Sequence, residues 1–402
     1  MNLFQKIKSG FQILRKQGFV AFIDLAWLKI LYIMPLKNIM VFECESDMDD
    51  NPRALYEYMI NNSYNRKIKL VWLVNDTEFC KKTFRKKNVV FINRHDKAFF
   101  NRSVLNYYLN IAKWLIFSHP YWFYKNKENQ TVIHIGHGTP IKQSSKCFDS
   151  TCFDWMPIPS ESVVNWYTQF WCCDASKTFI CGLPRNDLLK NGSSVKESIY
   201  KKMNWDFVDA KTIMCMPTFR QSKNRDDSSE IDEYSLGVVE NDQQFYELNQ
   251  YLHSNNIHLI VKIHPLQKIE CLKPIKASNI HYVQNRDLLY NNVMLYELIG
   301  CCDALVTDVS SVVFDFLLVN RPVAFFMNNY LGYSRGYLLD DPTEFMPGKK
   351  ILTFEELKEF LDDLHSNIDK YESARIAVNE YVNGKKQYCY CEELLKWLDI
   401  QL

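Results

Sequence analysis

The sequence predicts an α/β protein built around two successive parallel sheets. Two observations carry that prediction: the alternation of short apolar runs with helical patterns, and the renewal of that alternation in the second half of the chain. A strand–helix alternation places parallel strands in a sheet covered on both faces. In 402 residues there is room for about two domains of roughly 100–200 residues each, and the 47% hydrophobic and 24% charged composition is that of a globular chain.

Residues 1–36 read as two helices. Phe4, Ile7, Phe11 and Leu14 recur at helical spacing, bordered by Lys6, Lys8, Arg15 and Lys16. An apolar stripe flanked by cations suits an anionic membrane surface. The longest apolar run, Phe19 to Met34, is broken by Asp24 and Lys29 and stopped at Pro35. It falls short of the ~20 apolar residues of a spanning helix. No secretory cleavage site is visible.

Strands are expected at Ile39–Glu43, Ile68–Val74, Val89–Ile92, Trp114–Ser118 and Thr131–Ile135, with helices at Pro52–Ile60 and Phe99–Ala112. A second series follows at Ile213–Met216, Ile257–Ile263, Ile280–Val283, Ala304–Val306 and Val323–Phe326. Its helices are expected at Phe245–Ser254, Met294–Gly300 and Ser311–Val319. The polar stretch Gln221–Asp242 reads as a long loop or lid, and the tail from Thr353 reads as helical.

A net charge of +1 provides no field favouring nucleic acid. The 13 Cys form no CxxC pair and read as reduced, mostly buried thiols. No metal-ligand cluster stands out, Asp47, Asp49 and Asp50 being a surface-like acidic run. Mg2+ is the one cofactor left open.

Ligands of open α/β sheets bind beyond the carboxyl ends of the strands, so motifs at strand ends are the informative ones. Gly136-His137-Gly138-Thr139-Pro140-Ile141-Lys142 follows a strand directly. Its glycines leave room beside a histidine able to accept a proton near neutral pH, and Lys142 can offset phosphate charge. A tight turn with a structural histidine is the alternative. Lys262-Ile263-His264-Pro265 ends a strand and leaves His264 at its mouth, with Lys262 read as a strand-edge charge.

Thr307-Asp308-Val309-Ser310-Ser311 leads from a strand into an apolar helix. Ser310 and Ser311 at that start serve as a cap, as an anion site, or as both. Pro217-Thr218-Phe219-Arg220 and Pro184-Arg185-Asn186-Asp187 each place an arginine, suited to bidentate phosphate contact, after a structural break. The loop Tyr333-Ser334-Arg335-Gly336-Tyr337, with Pro347-Gly348 beyond it, is uninformative alone.

Taken in order, GHGTPIK, GLPRND, PTFR, KIHP, TDVSSVVFDFLLVNRP and SRGYLLD…PG resemble the CDP-glycerol glycerophosphotransferase family of teichoic acid synthesis. The early segment Asp50–Tyr58 also resembles it, and the likeness spans roughly residues 38 to 350. Members carry Trp where Gly136 stands and Trp where Phe219 stands.

The resemblance implies a GT-B-like fold of two Rossmann-like domains with a cleft between them. It divides the chain into membrane-associating helices at 1–36, an acceptor domain at 37–195, a donor domain at 196–380 and a C-terminal helix at 381–402. It implies a CDP-glycerol or CDP-ribitol donor, CMP release, a hydroxyl of a lipid-linked teichoic acid or capsule polymer as acceptor, and peripheral attachment to the cytoplasmic face of the membrane. His137 and His264 match catalytic positions. Arg220, Ser310 and Ser311 match donor-side groups. Thr307 and Asp308 are placed with them at the donor phosphate site, Asp308 either meeting the donor or orienting His264, and Gly138, Thr139, Lys142, Arg185 and Arg335 support the site. The alternatives are a nucleotide-sugar glycosyltransferase on the same fold and a non-catalytic binder of anionic polymer.

Overall fold

A computed structural model describes residues 23, 26–119, 126–144, 148–217, 234–263, 276–328, 336–385 and 389–401. All ten expected strands are present, shifted by at most two residues at their ends. The first sheet comprises β1 (Lys37–Glu43), β2 (Lys69–Val74), β3 (Val89–Asn93), β4 (Ala112–Phe117) and β5 (Thr131–His134). Its order is β3-β2-β1-β4-β5, parallel throughout. The strands are buried on both faces because their runs are almost wholly apolar, as in KLVWLV of β2. Phe42, Trp72 and Tyr56 interlock in the core, Phe42 stacked on Trp72 at 5.1 Å.

Two short strands the apolar pattern does not signal, β6 (Met156–Ile158) and β7 (Thr178–Ile180), pair with each other. The second sheet comprises β8 (Lys211–Met216), β9 (Ile257–Lys262), β10 (Ile280–Val283), β11 (Ala304–Thr307), β12 (Val323–Phe326) and β13 (Lys349–Ile351). Its order is β10-β9-β8-β11-β12-β13, again all parallel. The tail forms helices at Phe354–His365, Glu372–Asn383 and Tyr390–Trp397.

The chain divides into two compact units. One runs to Gly136 and takes in Ser150–Met156; the other holds His137–Asp149 and Pro157–Ile400. The His137 turn and residues 157–195 therefore belong with the second sheet, although the sequence reading grouped them with the first. In each sheet the strand order reverses once, between β1 and β4 and between β8 and β11. Open α/β sheets in general bind ligands at the carboxyl edge beside such a reversal.

Among the described residues no helix is long and apolar enough to cross a membrane. Residues 221–233 of the expected loop or lid Gln221–Asp242 and the amphipathic stripe at Phe4–Leu14 lie outside the described residues, whereas Tyr234, Leu236, Val238 and Val239 of the loop's remainder are buried. Ten described cysteines are free, while Cys172 is disulfide-bonded, against the expectation of reduced thiols throughout.

Within the second unit, His258 of β9 and His281 of β10 meet at 2.8 Å between ring nitrogens, with Phe207 stacked on both. Burial, with His258 beside it, lowers His281 to about 4. A histidine kept neutral in the fold contributes stability at high pH that is lost as pH falls from its unfolded value of 6.5 toward 4, because the unfolded chain then binds more protons. Relative to His281→Gln, the wild type is expected to lose on the order of 1–2 kcal/mol over that window, after discounting for solvent at the ring's open edge. Denaturant melts of both proteins from pH 7 to 4.5 test this, and parallel curves would exclude it.

Candidate active site

The second unit gathers four of the sequence motifs around the switch point between β8 and β11. Thr307, wholly buried at the end of β11, donates from Oγ1 to the Met216 carbonyl at the end of β8 (2.8 Å) and ties the two strands where they diverge. Asp308, 6% exposed, follows. The chain turns on a Ser310 N–H to Asp308 carbonyl bond (2.9 Å) and enters the helix Val312–Phe316. Ser310 and Ser311 are half-buried, and Ser311 at the N-cap makes no side-chain capping bond. The plain capping reading is thus unsupported for Ser311.

The His137 turn reaches this helix start. Gly136 and Gly138 have φ of +69° and +136°, which side chains with a Cβ rarely adopt. A Cβ on Gly138 would lie 2.7 Å from Ser311 Oγ and 3.0 Å from Arg185 Nη2, so three motifs converge where only glycine fits. The half-buried His137 ring sets its edge against Trp171 at 5.6 Å, and Phe148 packs on the same indole at 4.7 Å. Thr139 Oγ1 and Tyr167 OH share a hydrogen bond of 3.2 Å. Burial raises the Tyr167 phenol above its ordinary range and keeps it neutral.

Beyond Thr139 the turn pairs with the loop that the sequence left uninformative. Lys142 and Tyr337 form an antiparallel bridge, Leu338 N–H donates to the Ile141 carbonyl (2.9 Å), and Gln143 N–H donates to the Gly336 carbonyl (3.1 Å). Lys142 is half-buried there.

Arg185, 5% exposed, is held by a buried carboxylate. Asp315 accepts from Arg185 Nη2 (2.7 Å) and Tyr296 OH (2.6 Å) on one oxygen and from Asn186 Nδ2 (3.0 Å) on the other. The guanidinium also lies over the Tyr296 ring at 4.3 Å. Asp315, Asn186 and Tyr296 carry no role in the sequence reading. The available signal was a lone carboxylate inside the apolar run Val312–Leu317, since a charge buried in such a run needs a partner.

His264, Arg220 and Arg335 lie outside the described residues. Lys262 corrects its strand-edge reading: it is 5% exposed and its Nζ donates to the Ile263 carbonyl (2.8 Å) at the carboxyl end of β9. Among the described residues no group of three or more His, Cys, Asp or Glu is placed to hold a metal ion. The turn, the hydroxyl-bearing helix start and the buried arginine together offer a proton acceptor and anion-binding groups within one compact unit.

The chain is 26% identical to the teichoic acid glycerol-phosphate transferase of Staphylococcus aureus, over 86% of this chain and 89% of that protein. With the teichoic acid poly(glycerol phosphate) polymerase of Bacillus subtilis it shares 27% identity, over 83% of this chain and 45% of the polymerase. Its fold matches the solved wall teichoic acid polymerase TagF (H444N variant) with a TM-score of 0.74 at 22% identity, covering 98% of this chain and 96% of that one. The family model described as CDP-glycerol:poly(glycerophosphate) glycerophosphotransferase matches residues 27–387. The chain therefore belongs to the CDP-glycerol:poly(glycerophosphate) glycerophosphotransferase family.

Proposed function

We propose that this chain transfers glycerol phosphate from CDP-glycerol to a hydroxyl of a membrane-linked teichoic acid or capsule polymer, with release of CMP. The observation that carries the proposal is the convergence of the His137 turn on Ser311 and Arg185. The family and the glycerol-phosphate relatives support the donor. Three relatives described as a glycerol-phosphate transferase or poly(glycerol phosphate) polymerases align over 83–91% of the chain.

In the proposed mechanism the acceptor oxygen attacks the phosphorus that bears glycerol, forming a P–O bond as the pyrophosphate bridge breaks. His137 takes the hydroxyl proton, and CMP leaves with the bridging electron pair. Ser310, Ser311, Arg220 and His264 offset the charge that develops on the phosphates, with Thr307 and Asp308 fixing the strand end behind them. Arg185, Thr139, Gly138, Lys142 and Arg335 shape and support the site. We take the two units as Rossmann-like domains of GT-B type, with the base His137 and the donor groups Ser310 and Ser311 all on the second. CMP release from CDP-glycerol, with no release of UDP or UMP from UDP-sugars, tests the assignment of donor.

Peripheral attachment to the cytoplasmic face of the membrane is part of the same proposal. In the helix at residues 26–33, Leu31 is buried and Trp27 Nε1 donates to the Ser103 carbonyl (3.2 Å), so the helix docks on the first unit. Ile30, Tyr32 and Ile33 face outward at 50%, 63% and 80% exposure. Inserting an isoleucine into an apolar phase gains about 1.5–3 kcal/mol. Ile30→Glu with Ile33→Glu is therefore expected to lower partition onto anionic vesicles at least about tenfold, while turnover of a soluble acceptor continues. Unchanged sedimentation with vesicles would contradict the attachment.

A further inference from the structure

The segment joining β1 to the helix Asp50–Asn61 holds more buried polarity than a crossover requires. Arg94, 7% exposed, follows β3 and braces it. Its Nη1 donates to Glu43 Oε1 (2.7 Å) and the Cys44 carbonyl (2.5 Å), Nη2 to the Glu45 carbonyl (2.8 Å), and Nε to Asn75 Oδ1 (2.9 Å). Asp47 accepts from the Asn75 and Asp76 N–H groups at 2.8 Å each. Arg53 Nη1 holds the Met48 carbonyl (3.2 Å). Successive turns of residues 43–50 are thereby fixed from outside the segment.

At the end of this braced segment stands Asn51, wholly buried in the first turn of the helix. Its Nδ2 donates to the carbonyl of Gly136, 85 residues away in sequence (3.0 Å). That carbonyl belongs to the peptide whose nitrogen is that of His137. Gly136 lies at φ +69° and has no side chain to brace it, and a Cβ built there would meet nothing within 4 Å. A peptide unit is planar, so gripping its oxygen sets the orientation of the whole plane entering His137. Glycine alone, free to rotate in either sense, cannot supply that constraint.

We propose that Asn51 is a positioning residue that aims His137 by holding the Gly136–His137 peptide, the braced β1 loop serving to keep its amide in place. The proposal rests on the reading of His137 as the base. An imidazole displaced by about 1 Å can cost on the order of 100-fold in rate.

The test is a double-mutant cycle on the full chain, with CDP-glycerol and a short glycerol-phosphate primer, kcat being expressed per folded protein from the calorimetric binding stoichiometry for CDP-glycerol. Asn51→Ala is expected to lower kcat about 10- to 100-fold with donor KM within about twofold. Asn51→Ser, whose hydroxyl is too short to reach, should do the same and serves if the alanine variant does not fold. In the His137→Ala background, Asn51→Ala should add nothing. Wild-type kcat for both Asn51 variants beside an inactive His137→Ala would overturn the positioning role alone, as would effects that multiply in the double variant. Full activity of His137→Ala would instead overturn the base assignment beneath it.

Discussion

His137→Ala is expected to lower kcat by about 10²–10⁴-fold, the usual contribution of a general base, while CDP-glycerol binding stays within about twofold of wild type. The ring is half-buried against Trp171, between two glycines that carry no Cβ to crowd it. An interaction made only as the proton moves is felt in turnover and not in ground-state affinity. Rapid-quench measurement of CMP release, paired with calorimetry, separates the two quantities. Loss of donor binding at unchanged turnover per bound donor would reverse the roles proposed for His137 and for the phosphate-binding groups.

The largest expected stability effect falls on Asp315→Ala, at about 3–5 kcal/mol, the cost of removing one partner from a buried charged pair. Asp315 is 1% exposed and serves three donors at once, so its loss removes the carboxylate partner of the buried Arg185 guanidinium and an acceptor of Asn186 and Tyr296. Asp315→Asn keeps the volume and part of the hydrogen bonding and should cost less. Because Arg185 Nη2 and Ser311 Oγ flank the Gly138 backbone, both variants should also weaken CDP-glycerol binding before they unfold. Denaturant midpoints at unchanged slope measure the first effect. A midpoint for Asp315→Ala equal to wild type would show that the carboxylate does not hold the arginine in solution.

The two sheets were legible because parallel strands buried on both faces need near-continuous apolar runs, as KLVWLV of β2 and WLIF of β4 provide and as the centres of β1 and β9 repeat. β13 was hidden because Lys349-Lys350-Ile351 gives three residues and two cations, and its pairing comes from Ala324–Phe326 alongside it. Lys262 was misread because a charge at a strand's end looks like an exposed edge, whereas here its ammonium folds onto a carbonyl. The histidine turn and the TDVSS stretch were visible as motifs. Their meeting at Gly138 was not, because no spacing between residues 138 and 311 encodes it. The bridge from Lys142 to Tyr337 and the grip of Asn51 on Gly136 are long-range for the same reason. Buried polar residues within apolar runs, Asp315 above all, were the one local trace of the supporting network.

The most direct test of the central claim is the mass of the acceptor after incubation with CDP-glycerol, read beside CMP release, with CDP-ribitol and UDP-sugars in parallel. The expected result is a primer lengthened by whole glycerol-phosphate units, one CMP for each unit added, and no lengthening from a UDP-sugar. Sugar-sized mass increments with release of UDP, or an unextended primer in the presence of CDP-glycerol, would contradict it.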